Sequence, residues 1–211
     1  MQRFTYCAVL SLVIFSACNF EVNQSIEIGA DQRIEKNLLT VNGSIRIGKR
    51  SHVEGNCRAV NGNIILAEDV QTEDLNTING KITLGENTEI NGDIGTINGS
   101  ILSGRGAIIR GEVSTINGEI NLSGTEVRQD LATLSGDVFL KDGTVIKGDI
   151  RIEKKGLIND SSNRLYLTIR ISGGSVVEGD IIVKDREHEV TVDLREGGRV
   201  FGEVRNAEIL R

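Results

Sequence analysis

Residues 77–84 read Thr77-Ile78-Asn79-Gly80-Lys81-Ile82-Thr83-Leu84, and the same phrase returns along the chain. It stands earlier as Thr40-Val41-Asn42-Gly43-Ser44-Ile45-Arg46-Ile47 and as Ala59-Val60-Asn61-Gly62-Asn63-Ile64-Ile65-Leu66. It begins again at Thr96, Thr115 and Thr133, the last with Ser135 in the Asn position, and a degenerate copy runs from Val22 to Ile28. The aliphatic residue before Asn falls at 22, 41, 60, 78, 97, 116 and 134, at intervals of 19, 19, 18, 19, 19 and 18. Self-similarity at a fixed period of this size is the signature of a solenoid.

A second half-repeat accompanies the first. Glu89-Ile90-Asn91-Gly92-Asp93-Ile94 matches Ile108-Ile109-Arg110-Gly111-Glu112-Val113, Val145-Ile146-Lys147-Gly148-Asp149-Ile150 and Val176-Val177-Glu178-Gly179-Asp180-Ile181. A looser match is Val200-Phe201-Gly202-Glu203-Val204, which makes nine copies from Val22 to Val204. Within one copy the apolar positions are 78, 82, 84, 90, 94 and 97. The 82/84 pair has the period of a strand, and each short strand ends in Gly, Asn or Asp, which are turn residues. No long segment of the repeat shows a 3.6-residue period without Gly, so helix is excluded from it.

The fold class that follows is all-β: a single-stranded parallel β-helix of about nine coils of 18–19 residues. One coil has too little apolar surface to offset the entropy of ordering its backbone, so coils must stack and enclose their side chains between neighbours. Right-handed coiling is expected from the chirality of parallel crossovers. Longer connections are expected at about 151–166 and 183–189.

Composition narrows the function. The chain of 211 residues has 25 Gly, no Pro and seven aromatic residues. Collagen is excluded, and so is a stacking platform for single-stranded nucleic acid. A net charge of −6 argues against nucleic acid of any kind. Residues 1–17 hold one basic residue, Arg3, and an uncharged run from Phe4 to Ala17, too short to span a bilayer comfortably. The run ends Phe15-Ser16-Ala17-Cys18 and resembles a bacterial lipoprotein signal. That resemblance implies cleavage before Cys18, a lipid on its sulfur, and a short tether over 18–21. By the same resemblance Asn19, which is not the Asp associated with inner-membrane retention, favours the outer membrane if the organism has one. Cys7 leaves with such a signal, and Cys57 remains as a lone thiol, so no intramolecular disulfide is expected.

The Gly-Asp-Ile half-repeats resemble those of bactofilins, the polymer-forming bacterial β-helix proteins. The Thr-Ile-Asn-Gly-x-Ile half-repeats resemble the adhesin-type β-helix repeats of bacterial envelope proteins. Together they imply a lipid-anchored structural or interaction module of the envelope, with the membrane and either a second copy or an envelope protein as partners. Two alternatives stand beside it: a carbohydrate- or divalent-cation-binding surface protein and, less favoured, a polysaccharide-active enzyme. No cofactor is expected.

Four sets of residues are candidates for chemistry. Asn42, Asn61, Asn79, Asn98 and Asn117, with Asn23, recur once per coil and read as an amide ladder at a turn. Thr40, Thr77, Thr96, Thr115 and Thr133 read the same way. Asp74, Asp93, Glu112, Asp130 and Asp149, continued by Asp180 and Glu203, stack carboxylates at strand spacing, where like charges repel. They read as turn residues accepting backbone hydrogen bonds, with weak divalent-cation binding as the alternative. His188, between Glu187 and Glu189, reads as a solvated loop residue, and Cys57 as a buried core thiol. Gly104-Arg105-Gly106 reads as a turn. If a cleft exists, the two longer connections on adjacent coils are where to look.

Overall fold

The computed structural model describes residues 18–153, 166–185 and 188–211, with side chains from Glu21 onward. The described residues form 29 short strands and no helix. A representative turn of the solenoid runs Leu75–Asn79, Ile82–Leu84 and Glu89–Ile90. These three segments belong to three different parallel sheets of ten, ten and nine strands, each running the length of the molecule. Every strand pairs with its counterpart one turn away, so like residues stack: Thr77 on Thr96, Asn79 on Asn98, Ile82 on Ile101, Ile90 on Ile109. The chain makes nine complete three-strand turns and begins a tenth. At about 4.8 Å per turn, nine turns extend roughly 40 Å.

The inward side chains form one continuous core. Leu75, Ile82, Leu84 and Ile90 are fully or almost fully buried, and the same positions are buried in neighbouring turns. Thr77 and Thr88 complete the inward set of that turn. This corrects the sequence reading at one position. Ile78 and Ile97 are not core residues: they are 41% and 40% exposed, and the adjacent Thr points inward instead. Strand parity is the reason. Leu75 is inward, so Thr77 is inward two residues later and Ile78 faces out. The buried hydroxyl is satisfied by its neighbour, since Thr77 Oγ1 donates to the Gly62 carbonyl at 2.9 Å.

Glycine at the Asn-Gly turn allows the turns to touch backbone to backbone. A Cβ on Gly99 would sit 1.8 Å from the Gly80 carbonyl oxygen, so no larger residue fits without separating the coils. At the turn between the second and third sheets the requirement is conformational. Asn87 has φ of 55° and Gly106, one coil later, has φ of 75°, the left-handed region that Asn and Gly tolerate. Gly104-Arg105-Gly106 is therefore a turn, as expected.

The two 18-residue intervals shorten turns and leave strands intact. Glu73 and Asp74 link two strands where the next coil uses Asn91, Gly92 and Asp93, yet Thr72 still pairs with Ile90 and Leu75 with Ile94. The N-terminal end differs from expectation. Residues 18–21, read as a tether, lie within the strand Cys18–Val22, which pairs in register with Asn37–Val41. The C-terminal segment is the start of a tenth coil: Val204–Arg205 and Glu208–Leu210 extend two sheets. Phe201, Ile209 and Leu210 are exposed there, at 68%, 42% and 47%. Of the two longer connections, residues 154–165 and 186–187 lie outside the described residues.

Candidate functional sites on the solenoid surface

The Asn row is a hydrogen-bonded ladder. Each amide nitrogen donates to the Oδ1 of the Asn one turn before, from Asn42 to Asn23 at 2.9 Å through Asn117 to Asn98 at 2.9 Å. Ser135 ends the row by donating to Asn117 Oδ1 at 2.5 Å. Every Asn inside the ladder uses donor and acceptor on its own kind. Such a row binds the coils together.

The acidic row has a different partner. Asp74 Oδ1 accepts the backbone N–H of Asp93 at 3.0 Å, and Asp93 Oδ1 that of Glu112 at 2.8 Å. Asp130, Asp149 and Asp180 repeat the contact to Asp149, Asp180 and Glu203 at 2.7 to 2.8 Å. Each of these Asp carboxylates therefore sits on a partly positive N–H of the next coil, which offsets repulsion along the row. Arginines offset the rest. Arg151 pairs with Glu112 at 2.8 Å and with Asp130, and Arg205 pairs with Asp180 at 3.1 Å and Glu203 at 2.9 Å. Among the described residues no group of three or more His, Cys, Asp or Glu side chains is placed to hold a metal ion.

Cys57 is fully buried in the core, stacked between Leu38 and Leu75. Burial pushes its thiol up to about 12, against a weak opposing hydrogen bond from Thr72. It is a packing residue and not a nucleophile at neutral pH.

Two further surface features stand out. The first is an apolar row on the first sheet. Val22, Ile78, Ile97 and Ile116 are 40–48% exposed and lie on equivalent positions of the coil, with Val41, Val60 and Leu134 half-buried between and beyond them. Arg58, Asn76, Gly95 and Ser114 run beside the row and line a shallow groove of about 420 Å³ with Ile78, Ile97 and Ile116. The second is a shelf on the two strands that follow the longer connections. Strands Tyr166–Ile171 and Glu189–Leu194 pair over their full six residues, Tyr166 on Glu189 and Thr168 on Thr191. A cavity of about 550 Å³ opens over them, lined also by His188, Asn206 and Glu208. His188 is a correction: it is buried, not solvated, with 6% of the residue exposed.

Among the described residues no helix is long and apolar enough to cross a membrane. Comparison of the chain with family models, with curated proteins and with solved structures gave no match in any of the three.

Proposed function

We propose that this chain is a lipid-anchored structural and interaction module of a bacterial envelope, attached through Cys18, favouring the outer membrane, and engaging a second copy or an envelope protein through its side. The observation that carries this reading is the row Val22, Ile78, Ile97 and Ile116. Exposed aliphatics aligned along one side of a rigid rod form a contiguous apolar patch, and such patches mark interaction surfaces. Asn76, Gly95 and Ser114 leave the flank beside Ile78, Ile97 and Ile116 uncharged, with Arg58 the one charged residue lining the groove among the described residues. The Cys18–Val22 strand continues the first sheet to the anchor residue, so the row starts close to the membrane.

The test has two arms. Cys18→Ala is expected to move the protein from the membrane fraction to the soluble fraction, and retention there would defeat the anchor. Sedimentation velocity and crosslinking in the envelope are then compared between the parent and an Ile78→Ser, Ile97→Ser, Ile116→Ser variant. Loss of assemblies or crosslinks in the variant supports the interaction role, and an unchanged pattern overturns it. The divalent-cation reading draws less support, because one oxygen of each row Asp already accepts a backbone N–H. A calorimetric titration with millimolar Ca²⁺ is expected to show no heat.

A further inference from the structure

The shelf over the last coils departs from the repeat in three ways. Elsewhere in the second sheet the strands hold three or four residues, but Tyr166–Ile171 and Glu189–Leu194 hold six. The additional residues widen the sheet on its N-terminal side. Tyr166 then presents an aromatic ring to solvent at 72% exposure, in a body whose other aromatic residues are Phe20, Phe139 and Phe201. Beneath it, the His188 side chain is only 3% exposed and lines the cavity, and its Nδ1 is without a hydrogen-bond partner among the described residues. Its other ring nitrogen stands 3.8 Å from Asp185 Oδ2, beyond hydrogen-bond distance. A buried polar atom left unpaired is costly, and proteins keep such atoms where something outside the chain satisfies them.

The lining defines the ligand. Tyr166 and Glu189 stack on one outward column; Thr168, Thr191 and Glu208 stack on the next. Leu167 and Val190 turn inward beneath them and fix the floor. The cavity of about 550 Å³ is of the size that takes small ligands. Among the described residues no Lys or Arg lines it, and the polar groups they supply are mainly acceptors and hydroxyls. An aromatic face beside several acceptors complements a ring with an apolar C–H face and several hydroxyl donors. Glu208 opposes an anionic ligand.

We propose that this shelf binds a neutral or amino saccharide, its ring stacked on Tyr166 and one hydroxyl reaching the Nδ1 of His188. The proposal stands independently of the apolar row, which lies on a different sheet.

Saturation-transfer NMR on the full chain tests it, with glucose, galactose, N-acetylglucosamine, glucosamine and glucuronate as probes and ethylammonium as a control. Transfer to ring protons of at least one neutral or amino sugar is expected, and none to glucuronate. Tyr166→Ala is expected to weaken that binding about tenfold or more, and Tyr166→Phe to keep it, since the ring supplies the contact. His188→Phe is expected to weaken binding with the melting temperature unchanged or raised, because it removes an unpaired buried nitrogen; a merely structural His188 would lower stability and leave affinity alone. The proposal is overturned if none of the sugars shows transfer, if ethylammonium or glucuronate binds as well as the sugars, or if Tyr166→Ala binds like the parent.

Discussion

Gly99 and Gly95 lie four residues apart in one coil, and the geometry gives opposite signs for the same substitution. In Gly99→Ala the new Cβ would stand 1.8 Å from the Gly80 carbonyl oxygen and 2.6 Å from its carbon, both backbone atoms. The coils must part by more than an ångström at this turn. The bond from Gly80 N to the Asn98 carbonyl, 3.1 Å long, and the Thr96 hydroxyl bond to the Gly80 carbonyl, 3.2 Å long, are then lost or stretched. Two hydrogen bonds contribute about 2 kcal/mol and overpacking about 1–3 kcal/mol, so Gly99→Ala should cost about 3–5 kcal/mol. In Gly95→Ala the nearest atom is the side-chain oxygen of Asn76 at 2.9 Å, on a half-buried, outward-facing position, and a rotamer change clears it. Replacing glycine there removes backbone freedom from the unfolded chain, worth about 0.4–1 kcal/mol of added stability. Urea unfolding followed by far-ultraviolet circular dichroism measures both. A Gly99→Ala variant within about 1 kcal/mol of the parent would refute the argument that backbone contact between coils dictates glycine.

Four further outcomes follow from the same geometry. Asn98→Ala breaks two ladder links, to Asn79 and from Asn117, and should cost about 1–2 kcal/mol, whereas Ser135→Ala removes only the terminal one and should cost about half as much in the same urea assay. Thr96→Val loses a buried bond to the Gly80 carbonyl and should cost about 1 kcal/mol, but Thr133→Val removes a buried hydroxyl without a partner among the described residues and should be neutral or stabilising; equal losses would sink this distinction. With its thiol pushed up to about 12, Cys57 should resist iodoacetamide in the native protein at pH 8, where about one molecule in 10⁴ holds a thiolate, and label readily in urea. Hydrogen bonds from Arg50 to Asp31, from Arg128 and Lys147 to Glu126, from Ser123 to Asp142, and from Arg195 and Arg170 to Asp193 hold these carboxyls below their ordinary range in the folded state. Their contribution is full above the unfolded carboxylate range and is lost as pH falls through the lower folded values, so the melting temperature should drop between about pH 5 and pH 2, and less steeply in Asp193→Asn.

The sheet positions were readable because each coil repeats one residue type per place, and stacking in register needs nothing more. What misled was parity at Thr77 and Ile78. Hydropathy favours Ile for the core, and the partner that admits Thr is a carbonyl from the preceding coil, invisible to a local pattern. The carboxylate row was readable as a backbone acceptor because Asn37 and Asn56 occupy the same place, and an amide oxygen accepts N–H as a carboxylate does. The shelf was located only roughly. That a cleft should be sought beside the longer connections followed from their being on adjacent coils, but the Glu residues flanking His188 suggested solvent, whereas it is buried. At the C-terminus the charged residues Arg205 and Glu208 lie within strands, and the pairing of Thr191 with Glu208 continues the sheet.

The placement of the two shortened intervals shows how this molecule tolerates change in length. A residue deleted inside a strand would turn every following side chain of that strand to the opposite face. Here the deletions at 72–75 and at 122–127 fall in corners, and the strands on either side keep their partners. Corners act as slack and strands as graduations. A whole coil added or removed would change the reach of the molecule by about 4.8 Å and leave the cross-section as it is. A chain built this way is a ruler whose length evolves in fixed increments, so the distance between Cys18 and the shelf at Tyr166 can be adjusted without redesigning either end.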